Sequence, residues 1–238
     1  MRTAYTVFRN LYNVRKMTMK LVLASGSQRR RELLTMCGYD YEIIVSNADE
    51  TIDENDPESF VRALSFRKAK DVFDRLFAAG RRDFAVIGSD TVVAFQKEGE
   101  TKPVIIGKPK DAKDAVRILS MLSGKTHRVF TGVSVIADIP DENAAAQCSI
   151  REKAEIQTEC SITEVTFETL SPDEITDYVN SGDPLDKAGS YGIQGPFGMF
   201  VREIRGNYFT VIGMPIPVLY KMLKKIGILP HGFYERIE

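Results

Sequence analysis

Leu21-Val-Leu-Ala-Ser-Gly-Ser-Gln-Arg-Arg30 decides how this chain is read. Leu21 to Leu23 is a short β-type apolar run, broken by the small residues Ala24, Ser25, Gly26 and Ser27. Arg29, Arg30 and Arg31 follow, and Glu32-Leu33-Leu34 begins a helical pattern. The order is strand, tight turn, helix. Such a turn gathers backbone N–H groups and the positive end of a helix dipole, which suits an anion. Ser25 and Ser27 add hydroxyls, and Arg29 and Arg30 add guanidinium forks. The plainer reading makes Ser27 a helix cap and the arginines solvated.

Composition narrows the classes. The 238 residues carry 32 Lys plus Arg against 33 Asp plus Glu, for a formal net charge of −1. A dedicated nucleic-acid binder is therefore not expected, and any anion site must be a local cluster. Cys37, Cys148 and Cys160 form neither a metal motif nor an even disulfide set, which points to a reducing compartment. His127 and His231 share no local motif. No apolar run is long enough to span a membrane. Residues 1–19 form a basic extension with Arg2, Arg9, Arg15 and Lys16, and no acid precedes Glu32. A mitochondrial presequence has that composition, but serine is absent. A disordered tail, or a start at Met17 or Met19, is the preferred reading, and the cytoplasm the expected setting, with mitochondria the alternative.

Downstream, Tyr41 to Val45 reads as a strand, followed by an acidic loop that contains Asp49, Glu50, Asp53 and Glu54. Asp56-Pro57 starts a helix to about Ala79 that carries Arg67, Lys68 and Lys70. Phe84–Gly88 and Val92–Phe95 read as β segments on either side of Ser89-Asp90-Thr91. A carboxylate between apolar β runs is costly to bury unpaired, so Asp90 is expected at a strand end, where α/β proteins place chemistry. Lys108 sits in a rigid Gly-Lys-Pro turn, and Asp111 starts a further helix. Ser123-Gly-Lys-Thr126 imitates the tail of a P-loop but lacks its earlier glycine and follows a helix; it reads as a helix end before a strand. Arg128 to Ala137 and about Ile150 to Leu170 read as strands around a surface loop at Asp138–Gln147. Ser171-Pro-Asp-Glu174 starts another helix, closed at Gly182. The glycine-rich loop from Asp183 to Gly195 offers Asp186, Lys187, Ser190 and Gln194; Gln194 has both a donor and an acceptor, as reading a base edge requires. Met199–Ile204 and Tyr208–Ile212 read as a hairpin about Gly206-Asn207, and a final helix starts at Pro215. With no repeat and no linker, residues 20–238 make one α/β domain.

Arg29, Arg30, Lys68, Lys108 and Lys187, together with Glu50 and Asp90, suit a polyphosphate held by cations and a Mg²⁺ held by carboxylates. Leu23-Ala-Ser-Gly-Ser-Gln-Arg-Arg30 resembles the opening signature of the Maf family of nucleoside triphosphate pyrophosphatases. Gly88-Ser-Asp-Thr91, Gly107-Lys-Pro109, Leu122-Ser-Gly124 with His127, and Leu185-Asp-Lys-Ala-Gly-Ser-Tyr-Gly-Ile-Gln-Gly195 match its later motifs in order and spacing. The departures are Gln28, where the family usually has proline, the extension before Met19 and the loop at Asp138–Gln147.

The resemblance implies an elongated α/β fold, a mixed sheet with helices in two lobes around a central cleft, related to the inosine triphosphate pyrophosphatases. It implies cleavage of a nucleoside triphosphate to the monophosphate and pyrophosphate with a divalent metal, Mg²⁺ or else Mn²⁺ or Co²⁺, and a homodimer. On matching positions, Asp90 would activate water at the α-phosphorus, and Glu50 would help hold the metal. Ser25, Arg29, Arg30, Lys68, Lys108 and Lys187 would bind phosphates. At Arg29, Thr91 and Gln194 the chain resembles the dTTP- and UTP-preferring subgroup. The competing reading is a nucleotide-binding regulator without turnover, which would tolerate Asp90→Asn.

Overall fold

A computed structural model describes residues 19–97, 99–139 and 154–231. The basic extension before residue 19, Cys148, and residues 140–147 of the expected surface loop lie outside the described residues.

Strand β1 (Lys20–Leu23) leads into α1 (Gln28–Met36), β2 (Tyr41–Ile43) and the long helix α2 (Pro57–Ala78). Strands β3 (Phe84–Phe95) and β4 (Val104–Ile106), helix α3 (Ala112–Leu122), strands β5 (Thr126–Asp138) and β6 (Ala154–Phe167), and helix α4 (Pro172–Asn180) follow. Three single turns at Asp183–Asp186, Ala188–Ser190 and Pro196–Phe200 precede β7 (Val201–Arg205), α5 (Tyr208–Ile212) and α6 (Ile216–Lys225). The seven strands among the described residues form one mixed sheet, in the order β2-β1-β3-β5-β6-β7 with β4 also on β3. The expected α/β class and central cleft are present. Among the described residues all strands belong to this one sheet, and β3 and β5 run unbroken past the cleft.

The sheet opens at one place. Along one edge β3 pairs with β5 from Ala85 to Ala94. On the other edge β1 covers Phe84 to Ile87 in parallel and β4 covers Val93 to Phe95 in antiparallel. Residues 88–92 are left between the two. Asp90 therefore lies mid-strand, not at the end of its own strand as the sequence suggested. The strand ends that create its site belong to β1 and β4. The break expected at Ser89-Asp90-Thr91 does not occur, because their partners Val133, Gly132 and Thr131 on β5 hold the backbone extended.

Alternation along β3 then assigns the faces. Phe84, Val86, Val92 and Ala94 pack under α2, whose Val61, Leu64, Ala69, Val72 and Phe73 are buried there. Ala85 and Ile87 meet α1 and α6, while Val93 and Phe95 meet α3 and α4. Two glycines bring α2 close. A Cβ on Gly88 would stand 2.1 Å from the Ser65 carbonyl oxygen, and one on Gly132 2.2 Å from that of Val61. Backbone cannot give way at such distances, so the helix rests directly on the sheet. Lys68 lies one turn beyond Ser65, over the even-numbered face that carries Asp90.

Two local readings change. Ser27 takes the N-cap position of α1, but its hydroxyl makes no cap; its own N–H donates to Ser25 Oγ at 3.2 Å. The expected second hairpin strand at Tyr208–Ile212 is instead α5. Asn207 caps it through Phe209 N–H (2.8 Å), and the Asn207 backbone binds Thr163 Oγ1. A β-prone stretch has yielded to a cap and tertiary bonds. The P-loop look-alike is a helix end before β5, with Gly124 at φ +69°.

Candidate active site

The gap in the sheet opens into a cleft of roughly 1700 Å³ lined by Ser25, Arg29, Arg30, Glu50, Lys68, Asp90, Thr91, Lys108, Lys187 and Gln194. These phosphate-, base- and metal-binding candidates thus face one space, although they come from six separate segments. Ser190 does not; it is buried at φ +62°, with its hydroxyl unpartnered among the described residues.

Lys68 stands between two carboxylates. Its Nζ donates to Asp90 Oδ1 at 2.7 Å and lies 3.0 Å from Glu50 Oε1. Asp90 is nearly buried, whereas Glu50 is largely exposed. Asp90 Oδ2 has no hydrogen-bond partner among the described residues. No group of three or more acids, cysteines or histidines spaced for a metal occurs among them either. Mg²⁺ commonly takes only one or two carboxylates and completes its shell with water and substrate phosphates, so the Asp90 and Glu50 pair fits its donor chemistry.

Arg30 is held by neutral acceptors. Nε donates to the Gly213 carbonyl (2.8 Å), one terminal nitrogen to Ser25 Oγ (3.2 Å) and the other to Thr91 Oγ1 (3.3 Å). Gly213 ends α5 at φ +105°, and its carbonyl also accepts from Ser89 Oγ at 2.9 Å. Thr131 Oγ1 donates to the Thr210 carbonyl (2.7 Å), so the 3.0 Å contact with Thr91 must carry the Thr91 proton. The Thr91 oxygen is then left to accept from Arg30. Burial lowers the Arg30 pKa from its ordinary value, and the Asp90 charge opposes that shift.

Lys187 is held by carboxylates. Its Nζ donates to the Asp183 carbonyl (2.5 Å), Asp183 Oδ1 (2.9 Å) and Asp186 Oδ1 (2.7 Å). Tyr178 OH donates to Asp183 Oδ2 (2.5 Å) and accepts from Gly192 N–H (3.1 Å). Arg29 reaches Asp186 Oδ2 at 3.3 Å. Burial pushes the pKa of both aspartates up, but bonds from Tyr178 and Lys187 to Asp183, and from Lys187 and Arg29 to Asp186, outweigh it and hold both below the ordinary range. Lys108 and Gln194 make no bond with the described residues. Behind the loop, His127 Nε2 meets Tyr191 OH at 3.0 Å, and burial lowers the histidine pKa to about 3.

Sequence reasoning passed over Asp183, Tyr178, Ser89 and Gly213. Asp183 entered only as the first residue of the glycine-rich loop, and a backbone carbonyl leaves no mark in a sequence.

The chain matches the Maf-like protein family over residues 20–226. A protein of Agathobacter rectalis named dTTP/UTP pyrophosphatase is 40% identical over 217 residues, covering 88% of this chain and 98% of its own. One of Bacillus thuringiensis subsp. konkukian with the same name is 42% identical over 210 residues, covering 88% and 96%. The structure of the Staphylococcus aureus Ham1 protein matches with a TM-score of 0.44 at 14% identity, over 87% of this chain and 98% of that one. With the match spanning nearly all of the described residues, the chain belongs to the Maf-like protein family.

Proposed function

We propose that this protein hydrolyses dTTP and UTP to the monophosphate and pyrophosphate. One observation carries the reading: a nearly buried carboxylate, Asp90, with one oxygen anchored on Lys68 and the other unpartnered among the described residues, in a cleft lined by cations. The relatives named dTTP/UTP pyrophosphatase support it.

Asp90 accepts the proton of the water that attacks the α-phosphorus, and the α–β anhydride bond breaks to release pyrophosphate. Lys68 fixes the orientation of the carboxylate. Arg30, whose charge no carboxylate in its shell cancels, and Lys108 stabilise charge on the phosphoryl oxygens as it develops. Arg29 and Lys187 hold the far phosphates. Gln194 lies exposed on the cleft wall with donor and acceptor free to pair with a pyrimidine edge. Glu50 and Asp90 would hold Mg²⁺, or Mn²⁺ or Co²⁺ in its place; the bound ion would polarise the phosphate and lower the pKa of its water.

A homodimer and a cytoplasmic setting belong to the same proposal. No described helix is long and apolar enough to cross a membrane. Light scattering tests the dimer. The reaction is tested by pyrophosphate release from a panel of nucleoside triphosphates with Mg²⁺. Wild type should act on dTTP and UTP, and Asp90→Asn should lower kcat about 10²- to 10⁴-fold. Binding without release from any nucleotide would put the regulator reading first.

A further inference from the structure

Lys187 has three ammonium protons, and the chain's own loop takes all of them: the Asp183 carbonyl, Asp183 Oδ1 and Asp186 Oδ1. In this geometry it has no proton for a phosphate. One bond must break before an anion can bind, and the two aspartates differ in how easily they release it. Asp183 is anchored from behind by Tyr178 OH, itself fixed by Gly192 N–H, and its side chain is 31% exposed. The side chain of Asp186 is 66% exposed and has no described partners beyond Lys187 and Arg29.

Asp186 also uses its two oxygens as a phosphate would. Oδ1 takes Lys187 and Oδ2 takes Arg29, so one carboxylate bridges a cation from α1 and the cation that follows the Asp183–Asp186 turn. Two charge-assisted bonds to a small anion at the mouth of a cationic cleft are what a terminal phosphate would make.

We infer that Asp186 is an internal competitor for the polyphosphate. It holds Arg29 and Lys187 while the cleft is empty and is displaced when phosphate oxygens take both cations. Asp183 stays in place and positions Lys187 throughout. The inference rests on the reading that Arg29 and Lys187 bind the far phosphates. Its consequence is selectivity by charge. An anion must displace a carboxylate from two cations at once, so a phosphate chain that is also anchored deeper in the cleft, on Arg30 and Lys108, does so readily, and a single phosphate without that anchorage does so poorly. Asp186 thereby sets the substrate class at a chain of two or more phosphates.

Calorimetry with inorganic pyrophosphate and, separately, inorganic phosphate tests this without turnover. Asp186→Asn keeps the size and an acceptor but removes the charge. It should bind pyrophosphate about three- to tenfold more tightly than wild type, the scale of exposed ion pairs, and should narrow the preference for pyrophosphate over phosphate. Asp186→Ser should shift binding in the same direction. Asp183→Asn should weaken pyrophosphate binding, because Lys187 loses its anchor. Unchanged or weaker pyrophosphate binding by both Asp186 variants would overturn the inference. Wild type that binds pyrophosphate but hydrolyses no nucleotide would overturn the proposed function and leave this inference standing.

Discussion

Arg30 and Lys187 enter the same cleft, and opposite chemistry holds them there. Arg30 rests on two hydroxyls and a carbonyl, from Ser25, Thr91 and Gly213. Lys187 rests on Asp183 and Asp186. Neutral acceptors fix a cation and leave its charge for a ligand. Carboxylates fix it and cancel much of that charge. The planar guanidinium matches three acceptors in fixed directions, whereas the flexible ammonium stem is steered by ion pairs. The cleft thus contains one cation ready for an oxyanion and one that must first be released.

Of the changes to these two seats, the largest expected effect comes from breaking that of Arg30. Arg30→Lys keeps the charge and loses the fork, since one ammonium cannot serve the Gly213, Ser25 and Thr91 directions together. kcat/KM should fall about 10²-fold, the scale of losing a donor aimed at developing charge. Steady-state kinetics check it; retention of a third or more of wild-type activity would show that charge alone matters there.

A smaller effect separates the two seats by pH. The Asp183 and Asp186 pKa values are depressed in the folded state, so the unfolded chain binds protons more readily near its ordinary carboxylate pKa of about 3.9. Their stability contribution is complete above that value and is lost as pH falls through the folded values. Melting temperature against pH should show this acid limb in wild type and a shallower one in Asp183→Asn. His127, lowered to about 3 by burial, also costs stability as pH falls from about 6.5, but equally in both proteins, so their difference cancels it. Identical limbs would mean that the carboxylate seat contributes nothing to stability.

The smallest effect tests Thr91. Its hydroxyl donates to Thr131 and accepts from Arg30, which gives it a use besides base reading. Thr91→Val should raise KM about fivefold, near the net value of one hydrogen bond, for dTTP and UTP alike. Thr91→Ser should restore it. A change in preference between nucleotides would return Thr91 to a base-reading role.

Most helices were legible locally. Asp56-Pro57 and the Ser171–Glu174 capping box announce α2 and α4 through their own side chains. Tyr208–Ile212 misled because its apolar β-prone residues carry no sign of the bonds that Thr163 and Thr131 make to it. The site candidates were legible as residue types, since buried acids and basic turns are costly unless used. Their pairing was not.

By itself, the sequence determined the strand–turn–helix at Leu21–Arg30, the α/β class, and the set of acids and cations that a polyphosphate site requires. These follow from local pattern and from side-chain chemistry. Only the tertiary structure decided that β1 and β4 stop short of each other along β3, that Gly88 and Gly132 let α2 lower Lys68 onto Asp90, and that Gly213 turns a carbonyl to Arg30. Each depends on strands and backbone groups far apart in the chain. Their meeting is set by packing across the sheet, and no residue records it locally.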